Sequence, residues 1–164
     1  MMDRTEFEAT ADVCDRLGSA ASVCQLPLIA YGGRPALAGQ IACVRVDEDA
    51  SPVRRLLEQP GRGRILIVDG GGSRRVALLG ERMAHLGLQN GWAGVVVHGA
   101  IRDATALQAI PFGVFALGTV PRRPEGTNPI AAEERQVACG GVSFTCGDWV
   151  CVDRDGLVGV SGTE

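Results

Sequence analysis

Two short stretches, Gly80-Glu81-Arg82-Met83 and Arg102-Asp103, carry the side chains best suited to chemistry on a small anion. Gly80 to Met83 sits where a helix is expected to begin. The first N–H groups of a helix lack internal acceptors, so they offer an anion site that the helix dipole favours. Glu81 at that same place serves equally well as a cap-region carboxylate. Arg102-Asp103 follows a predicted buried strand, where the ligand crevices of α/β proteins usually lie. A guanidinium there can form a bidentate fork with a carboxylate, and an aspartate can hold a hard divalent cation directly or through water. The plainer alternative is a surface arginine beside a helix-capping aspartate. Together these are the parts that chemistry on a 2-oxo acid needs: a carboxylate anchor, a Lewis acid and an acid–base carboxylate. A third stretch, Asp69-Gly70-Gly71-Gly72-Ser73, either presents N–H groups to an anion or makes a tight strand exit. Its spacing matches neither a dinucleotide-binding fingerprint nor a P-loop.

Composition narrows the chemistry further. The 164-residue chain has no lysine, and all 16 of its basic residues are arginine. That removes Schiff-base catalysis, a lysine general base and a P-loop lysine. An enolate formed here depends on a metal or on hydrogen bonds, which points to metal-assisted cleavage. A net charge of −3 argues against direct nucleic-acid binding by phosphate neutralisation. No apolar run reaches the length of a membrane-spanning helix, and Met1-Met2-Asp3-Arg4-Thr5-Glu6 is unlike a signal peptide. No membrane association and a cytoplasmic location are therefore expected. The six cysteines, at 14, 24, 43, 139, 146 and 151, include no CxxC pair, and the only histidines are His85 and His98, so a zinc site is not expected. Cysteines within apolar runs, such as Ile41-Ala42-Cys43-Val44, read as small buried hydrophobes in a reducing compartment.

The elements that must position these residues follow from periodicity and punctuation. A helix is predicted over 10–17 with Thr10 as its N-cap, a strand over Gly39–Val46, and a short helix over Pro52–Glu58. The apolar runs Arg64–Asp69 and Gly94–Gly99 have the signature of strands covered on both faces. Gly80 would break a helix running through it, so the next helix starts at Glu81. Met83, Leu86 and Trp92 or Ala93 mark its inward side, and Gly91 stops it. A short helix over Asp103–Ala109, a strand over Gly113–Leu117 and a Pro/Arg/Gly-rich loop at 119–129 come next. Turns at Gly147-Asp148 and Asp155-Gly156 suggest hairpins in the tail. The result is a single α/β domain over 1–164 with a mixed sheet.

The chain resembles, over nearly its whole length, the regulator of ribonuclease activity A family, which includes the 4-hydroxy-4-methyl-2-oxoglutarate aldolases. The resemblance is carried by Thr10-Ala11-Asp12-Val13-Cys14-Asp15, Asp69-Gly70-Gly71-Gly72-Ser73, Ala77-Leu78-Leu79-Gly80, Gln89-Asn90-Gly91-Trp92-Ala93-Gly94, His98-Gly99-Ala100-Ile101-Arg102-Asp103, Gly140-Gly141-Val142 and Gly147-Asp148-Trp149. It implies an αββα sandwich (RraA-like) assembled as a homotrimer or a dimer of trimers, with sites between subunits. The family's catalytic pattern is an acidic residue, twenty positions, then Arg-Asp; Glu81, residues 82–101 and Arg102-Asp103 fit it. By this resemblance Gly80, Glu81, Arg82 and Met83 bind a small 2-oxo acid, Arg102 binds its carboxylate, and Asp103 supports Mg2+ or Mn2+. Glu81 takes the acidic position that polarises a water for proton transfer. Family aldolases usually carry Asp where this chain has Glu81. The implied activity is a metal-dependent aldolase that also decarboxylates oxaloacetate. The alternative is a non-catalytic inhibitor of ribonuclease E, and the familiar inhibitor lacks the Asp of Arg-Asp that this chain keeps.

Overall fold

The structure, a computed structural model, describes residues 7–126 and 133–160. The helices are α1 (Thr10–Leu17), α2 (Ser51–Leu57), α3 (Glu81–Gln89) and α4 (Ala104–Leu107). The strands are β1 (Ala21–Val23), β2 (Ile29–Ala30), β3 (Leu37–Arg45), β4 (Ile65–Asp69), β5 (Gly94–Ile101), β6 (Gly113–Thr119), β7 (Glu133–Glu134), β8 (Gln136–Cys139), β9 (Val142–Thr145), β10 (Trp149–Asp153) and β11 (Gly156–Val160). The main sheet runs β1-β11-β10-β3-β4-β5-β6-β2, with β7 paired to β3, and β8-β9 forms a separate two-stranded sheet. Strands β3 to β6 are mutually parallel and the outer strands antiparallel, so the sheet is mixed. Residues 127–129 of the predicted 119–129 loop, and the N-terminal residues 1–6, lie outside the described residues.

The apolar runs are continuous because both faces of the central strands are covered. Alternate residues Ala42, Val44, Leu66, Val68, Val95, Val97, Val114 and Ala116 pack on one side with Val53, Leu56 and Leu57 of α2 and Ala84 of α3. The intervening Ile41, Cys43, Ile65, Ile67, Val96 and Phe115 pack on the other with Val137, Cys139 and Phe144 of β8-β9 and with Val150, Val152 and Leu157. Helix α1 closes the far side, placing Val13 against Cys151 and Val158. The layer order is thus helix, sheet, sheet, helix. Each fully buried aliphatic side chain contributes roughly 1.5–3 kcal/mol to that arrangement. Among the described residues, no helix is long and apolar enough to cross a membrane.

Several local expectations change on contact with tertiary structure. The deeply buried residues of α3 are Ala84 and Gly87, with Met83 and Leu86 only partly buried. A Cβ at Gly87 would lie 2.8 Å from Phe112 Cζ, so small residues let the helix sit close over that ring. Gly147-Asp148 is not a hairpin turn: β9 pairs with β8 across Gly140-Gly141, whereas β10 pairs with β3 and β11. The Asp155-Gly156 hairpin forms as the sequence predicts. Asn90 caps α3 and Gly91 follows in the left-handed region at φ +84°, the stop expected there.

Thr10 is not the N-cap of α1, which is Ala9. Its N–H and Oγ1 instead donate to Asp153 Oδ2 and Oδ1 at 2.9 and 2.7 Å, tying the helix to the end of β10. Burial disfavours the Asp153 carboxylate. The bonds from Thr10 and from the N–H groups of Asp155 and Gly156 outweigh that and hold its pKa below the usual range. A pKa lowered by folding stabilises fully above the unfolded value, about 3.9, and the gain is lost as pH falls through the lower folded value. Asp153→Asn is expected to lower the unfolding free energy in urea by about 1–2 kcal/mol at neutral pH. The two proteins should converge in stability once acid has protonated Asp153. Equal stabilities at neutral pH would show that this anchor contributes nothing.

Candidate active site

Strand β4 stops at Asp69 while its neighbour β5 continues to Ile101. The backbone groups along the rest of β5 are instead met by residues 70–79, which lie beside it as an irregular strap. Gly70 and Gly72 N–H both donate to His98 O at 3.1 Å, Leu78 N–H donates to Ala100 O at 2.9 Å, and Arg102 N–H donates to Leu79 O at 3.0 Å. On its other side the strap is held by Ala77 N–H to Arg122 O at 2.8 Å. Its start is held by Glu48, which takes a bidentate fork from Arg75 (both contacts 2.7 Å) and the Ser73 hydroxyl at 2.8 Å. These charge-assisted bonds keep the Glu48 carboxyl below its usual pKa. The strap therefore delivers its last residue, Gly80, directly beside Arg102 and Asp103.

Asp103 adopts a left-handed backbone conformation (φ 63°, ψ 39°), which aspartate tolerates better than most residues. From there its Oδ2 accepts the Glu81 N–H at 2.9 Å, so it caps α3 from across the sheet, 22 residues away in the chain. Gly80 is extended (φ −143°), and its role is steric. A Cβ there would lie 2.7 Å from Asp103 Oδ2, 3.2 Å from Arg102 Cγ and 3.4 Å from Arg102 Nε. The Arg102 side chain thus lies alongside Gly80, half-buried, while Glu81, Arg82 and Asp103 are exposed. Among the described residues no carboxylate lies within ion-pair distance of the Arg102 guanidinium. Glu81 has only a 3.8 Å contact to His85, an exposed pair of little energetic weight.

Gly80, Glu81, Arg102 and Asp103 are thus brought into one cluster, and Arg82 and Met83 occupy the first turn above it. The N–H of Glu81 is taken up by Asp103, which leaves those of Arg82 and Met83 as the first-turn donors for a ligand. The arrangement offers a free guanidinium, two helix N–H groups and two carboxylates around a surface made small by glycine. The triglycine stretch is different. Gly70 and Gly72 N–H go to His98 O, Gly71 N–H to Asp69 Oδ1, and Ser73 N–H to Gly70 O. Its donors are satisfied internally, so it is a strand exit and not an anion cradle.

The sequence reading did not single out His98 or Glu48 for any role. Among the described residues the buried His98 Nδ1 has no hydrogen-bond partner; it sits 3.4 Å from Asp69 Oδ1, with Arg45 on the far side of that carboxylate at 3.6 Å. Arg45, Asp69 and His98 form one row across β3, β4 and β5. The only signal in the sequence was that each polar residue ends or interrupts an apolar run.

The Aldolase/RraA family model, described as RraA-like, matches residues 10–158. A relative from Laribacter hongkongensis named "Putative 4-hydroxy-4-methyl-2-oxoglutarate aldolase" is 44% identical over 149 residues, covering 91% of this chain and 93% of its own length. The chain also superposes on the crystal structure of a Geobacillus kaustophilus protein described as an S-adenosylmethionine: 2-dimethylmenaquinone methyltransferase. That match has a TM-score of 0.90 and 43% identity, covering 94% of this chain and 95% of that one. The RNA-processing inhibitor RraA from Thermus thermophilis matches with a TM-score of 0.88 and 36% identity, covering 97% and 98%. The names differ although the fold is shared, so activity has to be argued from the side chains.

Three substitutions at two positions test the cluster's geometry without an assay of activity. Asp103→Asn keeps an oxygen for the Glu81 N–H and tolerates the left-handed conformation, so its stability should stay within about 0.5 kcal/mol of wild type. Asp103→Ala loses both advantages and should cost about 2 kcal/mol. Gly80→Ala should cost about 1–3 kcal/mol by displacing the Asp103 carboxylate. Denaturant unfolding in which Asp103→Ala matches Asp103→Asn would disprove the capping role.

Proposed function

Since the chain belongs to the Aldolase/RraA family, we propose that it is a lyase that cleaves 4-hydroxy-4-methyl-2-oxoglutarate-type 2-oxo acids to pyruvate with a divalent metal, and that it also decarboxylates oxaloacetate. The observation that carries this reading is the unpaired Arg102 guanidinium lying beside Gly80 and the α3 start, with the Asp103 carboxylate next to it. The relative from Laribacter hongkongensis supports the aldolase part.

Arg102 binds the substrate carboxylate as a fork, and the N–H groups of Arg82 and Met83 complete that anchor. Gly80 leaves room for the pyruvyl part to approach the backbone. Glu81, exposed at the rim, orients the water that delivers a proton to the carbon left by bond cleavage. The donor set fits Mg2+ or Mn2+. Asp103 has one oxygen committed to the Glu81 N–H and one available, and among the described residues no group of three His, Cys, Asp or Glu side chains gathers to hold a metal ion. One carboxylate suits a hard cation that keeps most of its waters and takes further oxygens from the substrate. When bound, such a cation supplies Lewis-acid polarisation of the 2-oxo group. With no lysine in the chain, no Schiff base competes with this chemistry.

Glu81 and Asp103 are exposed, which leaves room for a neighbouring subunit to close the site. The assembly proposed is a homotrimer or a dimer of trimers. A cytoplasmic location fits the six free thiols. The second reading, a non-catalytic inhibitor acting on ribonuclease E-type RNA degradation, is favoured by the likeness to the Thermus thermophilis inhibitor.

Pyruvate release from 4-hydroxy-4-methyl-2-oxoglutarate and from oxaloacetate is expected with Mg2+ or Mn2+ and should stop with EDTA. No release from either substrate with either metal would favour the inhibitor reading. Arg102→Lys keeps the charge but not the fork, so kcat/KM should fall by about 2–4 kcal/mol, roughly 30- to 1,000-fold. An unchanged value would make Arg102 a structural surface residue. Oxalate, a 2-oxo acid mimic, should bind more tightly with Mg2+ than with EDTA in calorimetry, and Asp103→Asn should abolish that coupling. Identical affinities in all four experiments would reject the metal site. Light scattering at micromolar concentration should give the mass of three or six chains, whereas monomer alone would reject the assembly.

A further inference from the structure

We propose that Cys24 and Cys139 form a redox-active pair, a modification site that a hydroperoxide converts to an intramolecular disulfide joining the 24–28 crossover to the β8-β9 sheet. The two residues are 115 apart in sequence, yet the Cys24 thiol lies 3.9 Å from the Cys139 carbonyl oxygen. Their flanking backbones are tied by Gln25 N–H to Gly140 O at 2.7 Å. Gly140 is left-handed (φ 60°), and a Cβ on it would collide with Cys24 Sγ, so the thiol occupies the space that a side chain would take. Both side chains belong to the same buried apolar cluster. Both residues are 5% exposed. The third thiol of this apolar cluster, Cys43, faces the Phe144 carbonyl instead.

The pair is chemically unequal. The proximity of Cys139 favours the Cys24 thiolate over the opposing effect of burial, whereas Cys24 and burial together push Cys139 up. Cys24 is therefore the attacking sulfur. Its thiolate attacks the distal oxygen of the hydroperoxide, the O–O bond breaks, and the alkoxide leaves to be protonated as the alcohol, which gives a sulfenic acid on Cys24. The Cys139 sulfur then attacks the Cys24 sulfur, the S–S bond forms, and hydroxide leaves with the Cys139 proton as water. Two thiols lose two electrons in total and the peroxide gains them. Access is provided by β8-β9, which stands outside the main sheet as a two-stranded unit and opens at lower cost than the parallel core.

The test uses the full chain carrying Cys146→Ser, because Cys146 is exposed and would link molecules to one another. The reduced protein is treated with hydrogen peroxide, quenched, unfolded and alkylated. The expected result is an intact mass lower by about 2 Da, two fewer alkylated thiols, and a peptide joining Cys24 to Cys139 that dithiothreitol separates. Cys24→Ala and Cys139→Ala, each in the same background, should abolish the mass loss. Should either variant fail to fold, the peptide map of the parent protein decides. Retention of all thiols, a sulfinic acid on a single cysteine, or a link to Cys43, Cys14 or Cys151 would overturn the proposal.

Discussion

The site depends on an accounting requirement of the β5 backbone. A strand in the middle of a sheet must have its N–H and C=O groups paired on both sides. When β4 ends at Asp69, the open edge of β5 from His98 to Arg102 has to be met by other backbone. The strap supplies it at His98, Ala100 and Arg102, and this fixes where Gly80 falls. The placement of Gly80 beside Arg102 and Asp103 is thus a consequence of sheet pairing, and the short triglycine turn is what lets the chain leave β4 and come back alongside. With positive φ at Gly71 and Gly72, the turn folds tightly enough for two N–H groups to reach one carbonyl.

A second restraint comes from charge. The strap is tied to the loop after β3 by the Glu48 carboxylate, which takes three hydrogen bonds from Ser73 and Arg75 while its own backbone is left-handed (φ 50°). An isolated surface ion pair carries little weight, but a fork sharing its acceptor with a hydroxyl is geometrically specific. An arginine at this place does what a lysine could not, because only the planar guanidinium presents two parallel donors to one carboxylate. In a chain without lysine, arginine therefore serves as a structural clamp at Arg75, whereas at Arg102 the guanidinium has no carboxylate within ion-pair distance among the described residues.

Much of this was legible in the sequence where local physics decides. The parallel strands announce themselves as apolar runs because they are buried on both faces, and Gly80 marks the start of α3 because a glycine inside that helix would weaken it. What failed was decided at long range. Thr10 looked like a cap, but Asp153, 143 residues away, claims its hydroxyl. The inward face of α3 holds, since Met83 and Leu86 pack against the core, but Ala84 and Gly87 lie deepest because Phe112 demands small partners there, and periodicity does not reveal what a helix will meet. Gly147-Asp148 has the composition of a hairpin turn, yet β10 finds better partners in β3 and β11. For the candidate site, residue types brought forward Glu81, Arg102 and Asp103, and the structure places all three beside Gly80. That Asp103 caps α3 could not be read, since a cap from 22 residues away carries no local pattern.

That cap joins the two readings that the sequence left open for Asp103. A helix-capping aspartate and a ligand-site aspartate are not alternatives here, because the carboxylate has two oxygens and the cap takes one. The cap also immobilises the side chain, which a free surface aspartate would lack, and immobilisation lowers the entropic cost of using the second oxygen. Around it the charges nearly balance, with Glu81 and Asp103 set against Arg82 and Arg102. A bare anion therefore meets as much repulsion as attraction, and so does a bare cation. On the proposed reading, the cluster is suited to a substrate dianion and a divalent cation arriving together, since only their combined charge leaves the balance undisturbed. On the same reading the reach of Glu81 bears on proton delivery and not on anchoring, because its charge leaves that balance unchanged.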